Sequence, residues 1–442
     1  MLASLIRDVK IYDPRLFEGR VRAVEGVRIE ADGPPEALRL GGEVRLGNTE
    51  GPRAEVVGFA NGRAVLLCCD PAEDLHPGAR VIFSGQPGRI RPCEGWLGRV
   101  LDAFGDPVDE AGPLPQGTSW RLIRASPPSA HSRARVGGKL ELGVRVLDLF
   151  TPCAVGQRLG LFAGSGVGKS TLLSMLAEGA KADVIVIGLI GERGREAREF
   201  IEDALGAEGL KRSVLVVATS DEPAPKRRRA AWTTLAIAEH FRDQGKSVLC
   251  LLDSVTRFAL AQREIGLAAG EPPAARGYTP SVFAELPKLL ERAGPGKQGS
   301  GAITGLFTVL VDGDDHNEPV ADAVRGILDG HVVMDRRIAE AGRWPAIDVL
   351  KSVSRLSGQL WSKREAGLVR RARRLLALHG DMADLIRLGA YIEGSDAEVD
   401  LAMKVKPKLE DLLRQSPNLS KGKEPAAATA WAKLAEIVGE GE

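Results

Sequence analysis

The run Ala163-Gly-Ser-Gly-Val-Gly-Lys-Ser-Thr171 sets three glycines, a lysine and hydroxyl side chains where they can surround a chain of phosphates. Gly164, Gly166 and Gly168 let backbone N–H groups turn inward around phosphate oxygens. Lys169 is spaced to reach the β- and γ-phosphates, and Ser170 to ligate Mg²⁺. The whole stretch Gly164, Ser165, Gly166, Val167, Gly168, Lys169, Ser170 and Thr171 therefore reads as a binding loop for ATP, with P-loop spacing and Ala163 in place of the usual first glycine. An apolar strand, Arg158 to Ala163, precedes it and a helical stretch, Lys169 to Lys181, follows. That context separates it from a chance glycine-rich turn.

Two carboxylates are placed to complete such a site. Asp253 ends the apolar run Val248-Leu-Cys-Leu-Leu-Asp253, where an acid could hold Mg²⁺ through water. The plainer reading is an Asp that caps the next helix. Asp183 also borders a strand, but at its start, the wrong end for a ligand in an open α/β sheet. Glu192 follows the strand Val184 to Ile190 and could polarise an attacking water. From spacing alone it could equally be the first-turn acid of a helix starting near Gly194.

The elements that must position these groups fall into three segments of the 442-residue chain. Residues 1–92 read as β structure, with short alternating runs and a hairpin signal at Asn61-Gly62, and predict a small β-barrel or sandwich. Before it, Leu2, Leu5, Ile6 and Val9 could form a short amphipathic helix. Residues 93–360 alternate apolar strands with helical stretches, the pattern of a mainly parallel sheet covered on both faces. The strands are expected at 158–163, 183–190, 213–219, 247–253 and 303–312. Residues 361–442 show no convincing strand and predict helices at 369–378, 382–388, 396–405 and 426–438. The fold class is thus α/β: a P-loop (RecA-like) core, an N-terminal small β-barrel and a C-terminal helical domain.

Composition narrows the partners. A net charge of +1 argues against a protein dominated by nucleic-acid attraction. The basic runs Lys226-Arg-Arg-Arg229 and Lys363 to Arg374 read as solvated helix faces. Cys68, Cys69, Cys93, Cys153 and Cys250 have no zinc-ligand spacing and read as small buried hydrophobes in a reducing compartment. No apolar run approaches the roughly 20 residues of a membrane span, so a cytoplasmic location is expected.

Longer stretches carry a family resemblance. Gly188-Leu-Ile-Gly-Glu-Arg-Gly-Arg-Glu196 and Leu252-Asp-Ser-Val-Thr-Arg-Phe258 resemble the catalytic β subunit of rotary ATP synthases. Thr219-Ser-Asp-Glu-Pro-Ala224, Gly277 to Leu286, Asp312 to Asp322, Leu328-Asp-Gly-His331 and Ala390 to Asp396 resemble more closely the type III secretion ATPases, particularly the flagellar protein-export ATPases. The match is strongest over 90–355, plausible in the β segment and partial in the tail. The resemblance implies a catalytic role for Glu192, with Lys169, Arg193 and Arg257 around the γ-phosphate and Trp344 stacked on adenine. It implies that Arg355, in Ser352-Val-Ser-Arg355, is an arginine finger for the adjacent subunit of a homohexamer. It further implies export chaperone–substrate complexes, a central coiled-coil stalk, a regulatory stalk and a membrane export gate as partners, with peripheral association at the inner membrane. Departures from the family pattern are Ala163, Trp344 in place of the usual Tyr or Phe, an abbreviated 356–367, and an unusually basic 226–229.

The leading expectation is a Mg-ATPase of the flagellar export apparatus; an injectisome ATPase is the nearest alternative. A rotary-synthase β subunit would need a different chain to supply the finger. A ring translocase on RNA would want stacked aromatics and a basic groove, and residues 1–92 hold only Tyr12, Phe17, Phe59 and Phe83. A non-hydrolysing assembly protein would have no use for Glu192.

Overall fold

The computed structural model describes residues 16–311, 318–417 and 427–439. The segment carrying Leu2, Leu5, Ile6 and Val9, and residues 312–317, lie outside them.

Strands β1 (Phe17–Glu25), β2 (Arg28–Asp32), β3 (Gly42–Leu46), β4 (Arg53–Ala60), β5 (Arg63–Cys68) and β6 (Arg80–Pro87) close into a barrel in the order β1-β2-β5-β4-β3-β6. Alternation points Val21, Ile29, Val44, Val56, Leu66 and Phe83 into its core. Between β4 and β5, Asn61 and Gly62 take φ of 50° and 77°. Two successive positive φ values are what a two-residue turn of this hand requires, and Asn-Gly supplies them at least strain.

The second sheet has nine strands. Its main path uses β7 (Val100–Leu101), β8 (Arg158–Ala163), β9 (Val184–Glu192), β10 (Ser213–Thr219), β11 (Ser247–Asp253), β12 (Ala302–Leu310), β13 (Gly330–Met334) and β14 (Ile347–Ser354). The spatial order is β14-β13-β8-β12-β11-β9-β10-β7, with Gly294–Pro295 added antiparallel on β12. Every pairing along the path is parallel except β13–β14. The central strands are buried on both faces, between one apolar cluster around Leu161, Ile187 and Leu251 and another around Val186, Cys250 and Phe307. This explains their near-continuous apolar sequence.

Six helices frame the site and its surroundings: α1 (Lys169–Gly179), α2 (Ala224–Asp243), α3 (Val255–Ala268), α4 (Lys363–Arg387), α5 (Ala397–Leu413) and α6 (Ala427–Val438). The tail differs from expectation in two respects: the helix expected at 396–405 is α5, which continues through Pro407 to Leu413, and α4 is undivided. The two helices predicted at 369–378 and 382–388 are the single helix α4, which runs through Gly380. A glycine costs a helix about 1 kcal/mol, too little to break one that buries Leu368, Val369, Ala372 and Leu375. The abbreviated 356–367 holds a short helix, Ser357–Leu360, and a capping box in which Ser362 and Glu365 start α4.

The reading of Lys226–Arg229 as a solvated face is overturned. Arg228 and Arg229, in the first turns of α2, are buried. Arg228 Nη2 meets Glu55 Oε1 of β4 at 2.6 Å, and Arg229 pairs with Glu43 of β3. The run faces the barrel, and the acids that justify it lie far away in sequence. The second basic run keeps its expected character only in part: Lys363, Arg364, Arg370 and Arg374 are exposed, but Arg373 turns inward and donates Nη2 to Phe150 O at 2.9 Å and to Ser352 O at 3.0 Å. Of the cysteines, Cys69, Cys153 and Cys250 are buried, while Cys68 and Cys93 are half-buried. Among the described residues no helix is long and apolar enough to cross a membrane.

Candidate active site

The phosphate-binding loop leaves the carboxyl end of β8 and enters α1 at Lys169. Gly166 and Gly168 take φ of 75° and 84°, conformations that side-chain-bearing residues rarely adopt. Gly168 has a second reason to be glycine: a Cβ there would lie 2.5 Å from the Trp344 ring. Ala163, the departure from the usual pattern, ends β8 without a positive φ and is fully buried. Val167 turns its side chain into the core, so only its main chain can serve the loop.

Glu192 is aimed by a bulge. The β9–β10 register shifts between Ile190 and Glu192, so that Glu192 pairs with Thr219. Gly191 takes φ 71°, and a Cβ on it would meet the Arg257 Cβ at 2.9 Å. The glycine thus permits both the bulge and the approach of Arg257. Asp253 ends β11, and Ser254 caps α3 by accepting the Arg257 N–H at 3.2 Å.

Lys169 joins the two carboxylates. Its Nζ lies 2.9 Å from Glu192 Oε1 and 2.6 Å from Asp253 Oδ1. Thr308 of β12 donates its hydroxyl to Asp253 Oδ1 at 2.6 Å. Burial pulls the Lys169 ammonium down, but Asp253 and then Glu192 outweigh it and hold it above its ordinary value. Burial, and next the charge of Asp253, push the Glu192 carboxyl up against the pull of Lys169 and Arg257. A carboxylate made more basic beside a phosphate cradle fits proton acceptance from, or polarisation of, a water.

Around these groups opens a cavity of about 1030 Å³, the scale of a small-ligand site. It is lined by Gly164, Ser165, Gly166, Gly168, Lys169, Ser170 and Thr171, and by Glu192, Arg193, Arg257 and Trp344. Arg193 is exposed and pairs with Glu196 one turn on, at 3.0 Å. The Arg257 Nε is buried without a hydrogen-bond partner among the described residues. Trp344, 40% exposed, closes one wall. Arg355 is not among the lining residues. It sits exposed just past β14, its Nη2 donating to the Arg325 carbonyl at 3.3 Å.

Several lining residues escape sequence reasoning. Arg414, Gln415, Ser416 and Pro417, following α5, form the wall near Trp344. Gln415 is buried and ties three segments together: its N–H donates to Trp344 O at 2.8 Å, its Nε2 to Gly143 O at 2.9 Å, and its Oε1 accepts from Arg145 N at 2.8 Å. Arg336 reaches the loop itself, donating to Ser165 O at 2.9 Å. No local spacing marks these contacts, because Gln415 and Arg145 stand 270 positions apart.

The loop also fits the nucleotide and cation that its sequence implies. The cradle is glycine at the positive φ of Gly166 and where a Cβ on Gly168 would meet the Trp344 ring, Ser170 opens α1 on the cavity wall, and Asp253 holds an acid behind Lys169. Anionic phosphate at the start of α1 would meet free N–H groups and the positive end of the helix.

Comparison with known proteins agrees with this architecture. The family model described as the ATP synthase alpha/beta family, nucleotide-binding domain, matches residues 143–354, and that of the T3SS EscN ATPase C-terminal domain matches 361–429. The chain is 56% identical to the flagellum-specific ATP synthase of Caulobacter vibrioides over 94% of its own length and 95% of the relative's. It is 47% identical to the type 3 secretion system ATPase of Xanthomonas euvesicatoria, over 90% and 89% respectively. The assembled ATPase EscN of the enteropathogenic E. coli type III secretion system superposes with a TM-score of 0.88 at 40% identity, covering 95% of this chain and all of that one. EscN has also been solved with its central stalk EscO, with a TM-score of 0.86 to this chain.

Proposed function

The chain belongs to the family of flagellum-specific ATP synthases and type III secretion ATPases, and from that premise we propose that it hydrolyses Mg-ATP at the interfaces of a homohexameric ring serving flagellar protein export. The observation that carries the ring is the separation of Arg355 from its own cavity. Lys169, Glu192 and Asp253 converge within hydrogen-bond reach, while Arg355 stands apart from them on an exposed edge. A chain that presents one more arginine on an exposed edge, away from its own cavity, fits completion of each site by a neighbour.

In this reading the loop from Gly164 to Thr171 holds the phosphates and Trp344 stacks on the base. Ser170 and Asp253 would hold Mg²⁺, which when bound would neutralise phosphate charge. Lys169 exchanges its carboxylate partners for phosphate oxygens, which frees Glu192 to polarise the attacking water. Arg193 and Arg257 stand at the γ-phosphate end, and Arg355 of each subunit reaches into the next. The helical tail is the proposed stalk-binding end: Leu388 and Ile392, each 76% exposed, stand between α4 and α5. That EscN was solved with its central stalk supports a stalk as a partner. Export chaperone–substrate complexes, a regulatory stalk and the export gate of the inner membrane are the further partners proposed, with peripheral membrane association.

The test is the ATPase rate per subunit against protein concentration, with mass photometry on the same samples. A rate that rises cooperatively as hexamers form is expected. A concentration-independent rate from monomers would overturn completion between subunits.

A further inference from the structure

The basic run at the start of α2 has a purpose beyond the barrel contact. Its four cations divide into two pairs. Arg228 and Arg229 reach forward to Glu55 and Glu43 of the barrel, and Arg228 Nη1 also donates to Gln262 Oε1 at 2.8 Å. Lys226 and Arg227 reach back. Lys226 Nζ lies 2.6 Å from Glu222 Oε1, and Arg227 Nε donates to the Glu222 carbonyl at 2.9 Å while its Nη2 meets Glu264 at 2.6 Å. Glu222 is therefore held by its side chain and by its main chain.

What Glu222 holds in turn is the turn behind the candidate base. Its second carboxylate oxygen, Oε2, accepts the Thr219 N–H at 3.1 Å. Thr219 is the ladder partner of Glu192 across the bulge, and the next amide, Ser220 N–H, donates to the Glu192 carbonyl at 2.9 Å. One carboxylate thus links a helix anchored on the barrel to the two residues that carry the Glu192 main chain. The loop it fastens borders open space on its other side. Ser220, Asp221 and Glu222 line a cleft of about 600 Å³ between the core and the barrel. A loop released from Glu222 has room to move, and a bulge next to it offers little resistance.

We propose that Glu222 is a positioning residue for Glu192, fixing the Thr219–Ser220 turn against the Lys226–Arg229 anchor so that Glu192 meets the attacking water. Glu222 lines the barrel cleft and not the nucleotide cavity, so its removal leaves binding intact and slows turnover. Displacing a reacting group by about 1 Å can cost on the order of 100-fold in rate. The proposal rests on the reading of Glu192 as the base.

The experiment compares Glu222→Ala, Glu222→Asp, Glu222→Gln and Glu192→Gln as assembled full-length proteins, with kcat, KM for Mg-ATP and ADP affinity measured for each. Glu222→Ala should lower kcat about tenfold or more with KM and ADP affinity within about twofold of the parent. Glu222→Gln, which keeps an oxygen for the Thr219 N–H, should recover most of that loss. Glu222→Asp keeps the charge but shortens the reach, and should fall between them; it also serves if the alanine variant fails to fold. Wild-type kcat in both Glu222→Ala and Glu222→Asp would overturn the proposal, as would equal losses in all three Glu222 variants that track a loss of assembled protein. Glu192→Gln separates the two levels. If it turns over normally, the base assignment falls; if it is inactive while the Glu222 variants are normal, only the positioning role falls.

Discussion

Arg228 and Arg355 carry the same guanidinium in opposite settings. The Arg228 side chain is 5% exposed and meets a Glu55 side chain that is equally hidden. Arg355 is exposed and holds one long bond to a carbonyl. The contrast extends to their neighbours. Along the barrel–core interface, Arg53, Arg228 and Arg229 each have a carboxylate partner. Around the nucleotide cavity, Arg193 has an exposed partner one turn away, and the Arg257 Nε has none among the described residues. An unpartnered Nε is not itself the difference, since those of Arg228 and Arg229 are also buried without one among the described residues. The difference is the ion pair: Arg228 and Arg229 each have a carboxylate within reach, and among the described residues Arg257 and Arg355 form none. Lys169 stands between the two sets, since its two carboxylate partners are themselves candidate site residues.

The comparison can be broken most sharply at Arg355. Arg355→Ala should reduce turnover by at least about 10³-fold, as loss of an arginine finger does, with ADP binding and thermal stability unchanged. Substantial turnover in that variant would place Arg355 among the structural cations.

Arg228→Met should do the reverse. Leaving Glu55 buried and unpaired is expected to cost about 3–5 kcal/mol, read from urea unfolding, whereas Arg228→Met with Glu55→Met should recover most of it. Equal stability of the single variant and the parent would show that the pair is not the anchor.

Asp148 sharpens the comparison from the acid side. It is held by the amides of Leu142 and Gly143 instead of an arginine, and burial pushes its carboxyl up to about 6. A carboxyl raised in the folded state favours folding below its unfolded value and loses that contribution as pH rises through about 6. Stability should therefore decline by about 2–3 kcal/mol between pH 4 and 7 from this group. Asp148→Asn should flatten that decline in thermal melts across the window, and an unchanged profile would count against it.

Trp344→Ala carries the smallest expected effect. Stacking on a base is worth about 1–3 kcal/mol, so ADP affinity by calorimetry should fall about tenfold with little change in melting temperature. A fall in stability without a fall in affinity would make Trp344 a wall of the core.

Much of the site was legible because its chemistry is local. The spacing from Gly164 to Ser170 serves one phosphate chain, and the strands on either side are apolar for a single reason, burial on both faces. The Asn61-Gly62 hairpin was legible in the same way, since the φ values it needs belong to the residue types. Glu192 was only half legible. Its place after β9 suggested a base or a helix-capping acid, and it took the Gly191 bulge and the approach of Lys169 and Asp253 to show it facing the cavity. The residues of α4 read as two helices, 369–378 and 382–388, but packing of the apolar face outweighs one poor helix former, Gly380, and the helix is single.

The sequence by itself determined the phosphate loop, the apolar strands that present it and the family to which the chain belongs. All three depend on residues within a turn or a strand of one another. Only the tertiary structure decided what the distant charges are for. Lys226–Arg229 looked solvated until folding brought Glu43, Glu55 and Glu264 against it. Nothing in the spacing around Arg355 tells how far it stands from Lys169; the antiparallel run of β14 carries it to the Asp329 end of β13, away from its own cavity. A charge is functional or structural according to what surrounds it, and for these residues the surroundings come from parts of the chain that no local pattern connects.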